Sequence, residues 1–296
     1  MRRLSTLNLF LQSLIVVTGG VVRLTGSGLG CSTWPECTPG SYAPTPNQPE
    51  SSIHKWVEFS NRLLTFLLFI VALILVAAII RSGARQLRFL GATQILGILA
   101  QAILGGITVL TGLNPISVAA HFLLSILIIA AALTLRQSIY EIASTTPTLL
   151  SRKLLKAHLT LSALVIVMGT IVTGSGPHAG DTTAVRFNFD ARTISWLHAD
   201  LVLLLIGLTF ALYISVRSGE AQDVQKILKP RIRTFLLVAL AQGGIGYIQY
   251  FTGLPEAIVA LHLCGAVLVW LTAWNIALAG KVIPLKNPAP KEQSQR

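Results

Sequence analysis

The chain has 296 residues, 53% of them apolar and only 11% charged, with a mean hydropathy of +0.69, whereas a soluble domain carries about 25% charged residues. This is the composition of a membrane protein, and eight spans of roughly 20 residues each would use about 160 residues and leave no room for a large soluble domain. Aromatic residues make up 7% and alternating segments of about 10 residues are missing, which argues against an outer-membrane barrel.

In chain order, long uncharged stretches predict helices over 7–24, 57–80, 88–110, 117–135, 155–174, 196–216, 234–251 and 257–279, giving an all-α polytopic fold of eight transmembrane helices. The first stretch follows Met1-Arg2-Arg3, and Thr25-Gly-Ser-Gly-Leu-Gly-Cys31 stands where a small-residue cleavage site would be expected, so it reads as a permanent helix. The longest connection, Thr25 to Trp56, contains Pro35, Pro39, Pro44, Pro46 and Pro49; a loop of that length is expected to be a lid or a partner-binding surface. Its counterpart from Gly174 to Ser195 is shorter and lacks cysteine. The tail Pro284 to Arg296 reads as disordered.

Basic residues set the orientation, because they are retained on the cytoplasmic side. With the N-terminus inside, 18 of the 23 Lys and Arg fall on inner segments, and Arg23, Lys55, Arg62, Arg186 and Arg192 fall outside. Both termini are therefore expected in the cytoplasm, with the chain in the cell membrane. This topology and anionic lipid account for the net charge of +12, so no nucleic-acid partner is inferred.

The segment from Ala100-Gln101 through Gly105, Thr111-Gly112-Leu113 and Val118-Ala119 to His121 aligns without a gap on Ala241-Gln242, Gly246, Thr252-Gly253-Leu254, Val259-Ala260 and His262, at a constant offset of 141. Thr25-Gly-Ser-Gly28 and Thr173-Gly-Ser-Gly176 close the first and fifth helices alike. The expected organisation is two tandem four-helix bundles, 1–145 and 146–296, related by an axis along the membrane normal.

Of six histidines, His121 and His262 occupy equivalent positions, and His198 lies at the outer start of helix six. His198 and His262 therefore fall at similar depth in one half, which suits an axial pair on a haem iron. A lone histidine near a helix end is more often interfacial, but intramembrane ionisable residues are functional candidates by default. His158, near the inner end of helix five, reads as interfacial, and His178 as structural or gating.

These residues bring a family into view. Thr25-Gly-Ser-Gly-Leu-Gly-Cys31-Ser-Thr-Trp34-Pro35-Glu-Cys37, Glu58-Phe-Ser-Asn61-Arg62, Gly105-Gly-Ile-Thr-Val-Leu-Thr-Gly112, Thr173-Gly-Ser-Gly-Pro-His178-Ala-Gly and the three placed histidines together resemble haem A synthase over roughly 8–279. The resemblance implies an oxygen-dependent haem-modifying oxidoreductase that oxidises the C8 methyl group of haem O to a formyl group, giving haem A for the terminal cytochrome oxidase. It also implies a haem b cofactor between His198 and His262 in the second half, with haem O as substrate in the first. A haem O synthase and a quinol or other electron donor are the partners that this implies beside membrane lipid.

The first half departs from the family pattern, which reads Glu-x-x-His-Arg where this chain has Asn61. An amide is a poor iron ligand, and His54 lies seven residues earlier, roughly 10 Å along the helix. His121 is therefore expected as the sole protein ligand of the substrate iron, with the sixth position open to oxygen. Glu58 shares a face with Arg62 and either pairs with it or, as the family motif suggests, stands beside the substrate haem as a catalytic acid or base. Arg23 and Arg62 either bind haem propionates or snorkel to head groups.

Cys31 and Cys37 lie in a loop expected to face an oxidising compartment, so a disulfide is expected, as a structural staple or a redox-active pair. Cys264, about 200° around the helix from His262, faces away from the iron and reads as a small buried hydrophobe. Two functions remain open: haem A synthesis, and a membrane bis-histidine cytochrome b that passes electrons without altering its haem. A transporter is disfavoured because the polar cluster is confined to one side.

Overall fold

The computed structural model describes residues 1–283, so the tail from Pro284 lies outside the described residues. It contains eight α-helices: α1 (Arg2–Leu24), α2 (Ser52–Arg81), α3 (Arg88–Leu110), α4 (Pro115–Tyr140), α5 (Leu149–Ser175), α6 (Ala191–Gly219), α7 (Gln222–Phe251) and α8 (Glu256–Ala279). All eight are long and apolar enough to cross a membrane. Among the described residues there is no strand, only a single bridge between Thr38 and Ser41.

Several helices begin earlier than hydropathy predicts, because polar segments also carry helix signals. Ser51 caps α2 by accepting from the His54 amide, and Asp190 caps α6 by accepting from the Thr193 amide at 2.8 Å. α7 starts twelve residues before the predicted 234. There Val224, Leu228 and Ile232 recur every fourth position and are buried, while Lys226 and Arg233 stay exposed. A hydropathy window averages over such an amphipathic stripe and misses it.

α1 packs on α2 and α4, and α3 on the same two helices; α5 packs on α6 and α8, and α7 on those two. The two rings of four meet where α8 lies against α1 and α4, and α4 against α5. At this seam the Trp270 indole donates to the Ile126 carbonyl at 2.8 Å, Trp274 to the Thr134 hydroxyl at 2.9 Å, and Gln137 to the Asn275 carbonyl at 2.6 Å. Val16, Ile126, Ile129, Ile166, Val267 and Trp270 form one buried cluster here.

The internal repeat persists in the backbone. In the α3–α4 turn Gly112 and Leu113 have φ of 61° and 59°, and in the α7–α8 turn Gly253 and Leu254 have φ of 80° and 60°. Each leucine amide reaches back to a carbonyl five residues earlier, Leu113 to Thr108 and Leu254 to Gln249. A leucine in the left-handed region is uncommon, so its recurrence at equivalent positions shows that both turns present α4 and α8 alike.

Candidate functional site

His121 lies six residues past Pro115 in α4, His262 six past Glu256 in α8, and His198 seven past Ala191 in α6. All three are counted from the molecular end that carries the long 25–51 and 176–190 connections, called here the loop end. Each ring faces a glycine on the neighbouring helix. A Cβ on Gly105 of α3 would lie 3.2 Å from Cε1 of His121, one on Gly246 of α7 would lie 3.2 Å from Cε1 of His262, and one on Gly169 of α5 would lie 3.4 Å from Cε1 of His198. A larger residue at these positions would crowd the imidazole.

Gln101 donates to the backbone carbonyl of His121 at 3.0 Å, and Gln242 to that of His262 at 2.6 Å. Both glutamines sit at offset 141, four residues before Gly105 and Gly246. Glutamine and glycine thus fix the helix turn that bears the histidine and the room its ring occupies. Neither residue was assigned a role from sequence, although their recurrence in the repeat was the available signal.

Nδ1 of His121, His198 and His262 is buried without a hydrogen-bond partner among the described residues. Buried imidazoles with Nδ1 free of a protein partner are a donor set suited to haem iron.

His158, whose Nε2 is likewise buried without a partner among the described residues, differs in what its ring meets. It is not interfacial, as its place in the sequence suggested, but 1% exposed, edge-on to Phe235 at 4.4 Å. The helix start at Leu149 places it well inside α5, so the inner end of that helix is further away than hydropathy indicated. His178 Nε2 bonds the Leu254 carbonyl at 2.8 Å, tying the α5–α6 connection to the α7–α8 turn. His54 lines a cleft of about 300 Å³ at the loop end with Gly26, Glu50 and Asp181, and none of the glycines that face the other histidines lines it.

Asn61 sits in α2 against Gly19 of α1, where a Cβ would lie 3.8 Å from its Nδ2, and its Oδ1 accepts from Thr18 at 2.7 Å. The arrangement matches the helix-and-glycine pairing of His198 with Gly169.

The 25–51 connection is seated on this side of the molecule by the residues expected to act at the haem. Arg62 donates to Glu58 at 2.6 Å and to the carbonyls of Cys31, Thr33 and Glu36 at 3.0–3.2 Å, while Glu58 accepts from the Cys31 amide at 2.8 Å. The alternative of a Glu58–Arg62 ion pair is thus realised. Cys31 and Cys37 are joined and fully buried, and Trp34 lies over Gly106, whose added Cβ would fall 2.5 Å from the ring. Gly106 follows the glycine that faces His121, so the indole covers α3 next to that histidine. Arg23 donates to the Thr173 carbonyl of α5 at 2.6 Å. Cys264 is free and half-buried.

Residues 2–185 match the cytochrome oxidase assembly protein family. The chain belongs to that family. Among similar proteins, one named Heme A synthase from Lysinibacillus sphaericus is 36% identical over 44% of this chain and 41% of its own length. One of the same name from Bacillus pumilus is 32% identical over 48% of this chain and 45% of its own, and one from Listeria welshimeri is 31% identical over 47% and 45%. The chain matches under half the length of each of these relatives.

Proposed function

We propose that this protein is a haem A synthase, oxidising the C8 methyl group of haem O to a formyl group. The observation that carries the reading is the repeated unit of histidine, facing glycine and carbonyl-holding glutamine: His121 with Gly105 and Gln101, His262 with Gly246 and Gln242. It supports one haem site in each half, 1–145 for substrate and 146–296 for a resident cofactor. His198 and His262 would hold haem b in the second half, and haem b, when bound, would supply one-electron chemistry there.

In the first half His121 holds the substrate haem. Thr18 holds the Asn61 amide on α2, where the family pattern has a histidine, so His121 would be the one imidazole holding the substrate in this half. Glu58 is the acid or base on this side, with its carboxylate held by Arg62 and the Cys31 amide. The 25–51 connection, stapled by a Cys31–Cys37 disulfide and seated by Trp34, covers the substrate from water. Both termini lie in the cytoplasm and the loop end faces outward from the cell membrane, as the basic residues support. The reaction calls for a haem O source, dioxygen as the oxidant and oxygen source, and a quinol or other electron donor for the reducing equivalents.

The test is to extract pigments after expression with a haem O source, in wild type and in His121→Ala. Haem A or its hydroxymethyl precursor in the wild type, lost in His121→Ala while the low-spin haem b signal persists, is the expected result. Recovery of haem b alone from the wild type would overturn the proposal in favour of an electron-passing cytochrome b.

A further inference from the structure

Arg23 and Arg186 meet at the loop end of the seam between the two rings. Each uses one guanidinium nitrogen on a backbone carbonyl, Arg23 on that of Thr173 in the last turn of α5 at 2.6 Å and Arg186 on that of Pro177 in the α5–α6 connection. The Phe187 amide, next to Arg186, bonds the Gly174 carbonyl, which adjoins the Thr173 carbonyl held by Arg23, so the two side chains share one neighbourhood. Each also keeps a buried N–H without a partner, Nε of Arg23 and Nη1 of Arg186.

No carboxylate compensates them. Among the described residues the only ion pair is Arg62 with Glu58, and the acids of the connection are engaged locally, Asp181 Oδ1 by the Thr183 amide and hydroxyl and Asp190 Oδ2 by those of Thr193. The connection itself is held by backbone bonds: Gly28 donates to the Gly180 carbonyl at 2.9 Å and Phe187 to the Gly174 carbonyl at 2.9 Å, and Gly180, at a φ of 97° that favours glycine, lies against Leu113 and Arg23. Two like charges brought together on a rigid frame, with unspent donors and no acid, cost free energy unless an anion joins them.

We infer that Arg23 and Arg186 form a binding site for an oxyanion carried by a membrane amphiphile, either a carboxylate of haem or the phosphate of a phospholipid. The planar fork of a guanidinium suits both groups. Occupancy would join the last turn of α1 to the α5–α6 connection, and so the substrate half to the cofactor half. The haem arm rests on the function proposed above, whereas the lipid arm does not.

The experiment uses the full chain, purified in defined lipid, as wild type, Arg186→Gln, Arg23→Gln and Arg186→Lys. Binding of haem is compared with that of its dimethyl ester by absorption titration, and retained phosphatidylglycerol is measured by mass spectrometry. A wild-type preference of about tenfold or more for the free acid, abolished by either Gln variant and partly kept by Arg186→Lys, assigns the site to a haem carboxylate. Phosphatidylglycerol retained by wild type and lost from the Gln variants, without discrimination against the ester, assigns it to a phospholipid. A wild type that shows neither property overturns the inference whatever the variants do. A wild type that binds no haem but retains phosphatidylglycerol through these arginines overturns the proposed function and leaves the anion site standing.

Discussion

At the residue scale the decisive position is Asn61. Its Oδ1 is held by Thr18 and its Nδ2 is turned toward Gly19, on a helix facing a glycine as His198 does. An imidazole differs from the amide mainly in reach and in being a good iron ligand. Asn61→His is therefore expected to convert the substrate haem from one protein ligand to a low-spin bis-histidine form and to lower the haem A yield at least tenfold. Paramagnetic resonance of the haem O-loaded variant checks the ligation and pigment extraction checks the yield. If the wild type already shows two bis-histidine haems, the single-ligand account fails. Asn61 and its departure from the family pattern were legible in the sequence; its hydrogen bond to Thr18 was not, because a contact between helices 43 residues apart leaves no local pattern.

At the scale of elements, the 25–51 connection has no helix or strand to satisfy its backbone, and the side chains of α2 serve that need. Arg62 and Glu58 between them engage the Cys31 amide and three loop carbonyls. With Cys31 and Cys37 joined and fully buried, maleimide applied to the native protein is expected to label neither residue, and reductant alone is expected to give slow labelling. Adding Arg62→Gln should speed that labelling, because the loop then loses its seat as well as its staple. Immediate labelling of both cysteines in untreated protein would refute the pairing. Sequence pointed to the cysteine pair and the ion pair separately; that both serve one loop follows only from the way α2 presents a face to it.

The same scale explains the helix ends. Hydropathy located all eight helices but placed several starts too late, since the cap at Asp190 and the stripe Val224, Leu228 and Ile232 are positional signals rather than apolar runs. The hydrogen bonds from Thr193 hold the Asp190 carboxyl below the usual carboxylate range. A depressed pKa contributes stability that is present above the unfolded value and lost as pH falls through the folded one, so the first turn of α6 is tied down at neutral pH.

For the whole molecule, the seam is the structural question. Trp270, 3% exposed, fills the junction of α1, α4, α5 and α8 and donates to Ile126. Trp270→Ala should destabilise the chain by about 3–5 kcal/mol by leaving a cavity, whereas Trp270→Phe should cost about 1 kcal/mol through the lost hydrogen bond. Thermal unfolding in detergent, followed by intrinsic fluorescence, checks the order. Equal midpoints for the two variants would show that the indole packing does not hold the rings together.

The sequence by itself determined the membrane class, the number of helices, the tandem repeat and the three histidines at matching depth, since hydropathy, identity at a fixed offset and residue type are properties written along the chain. Tertiary structure decided which groups the histidines meet and which charges remain unspent. Gly169 beside His198, Trp34 over Gly106, the burial of His158 against Phe235 and the approach of Arg186 to Arg23 all join segments that are remote in sequence. Such contacts are fixed by helix rotation and crossing, and packing between whole helices, not the local pattern, sets both.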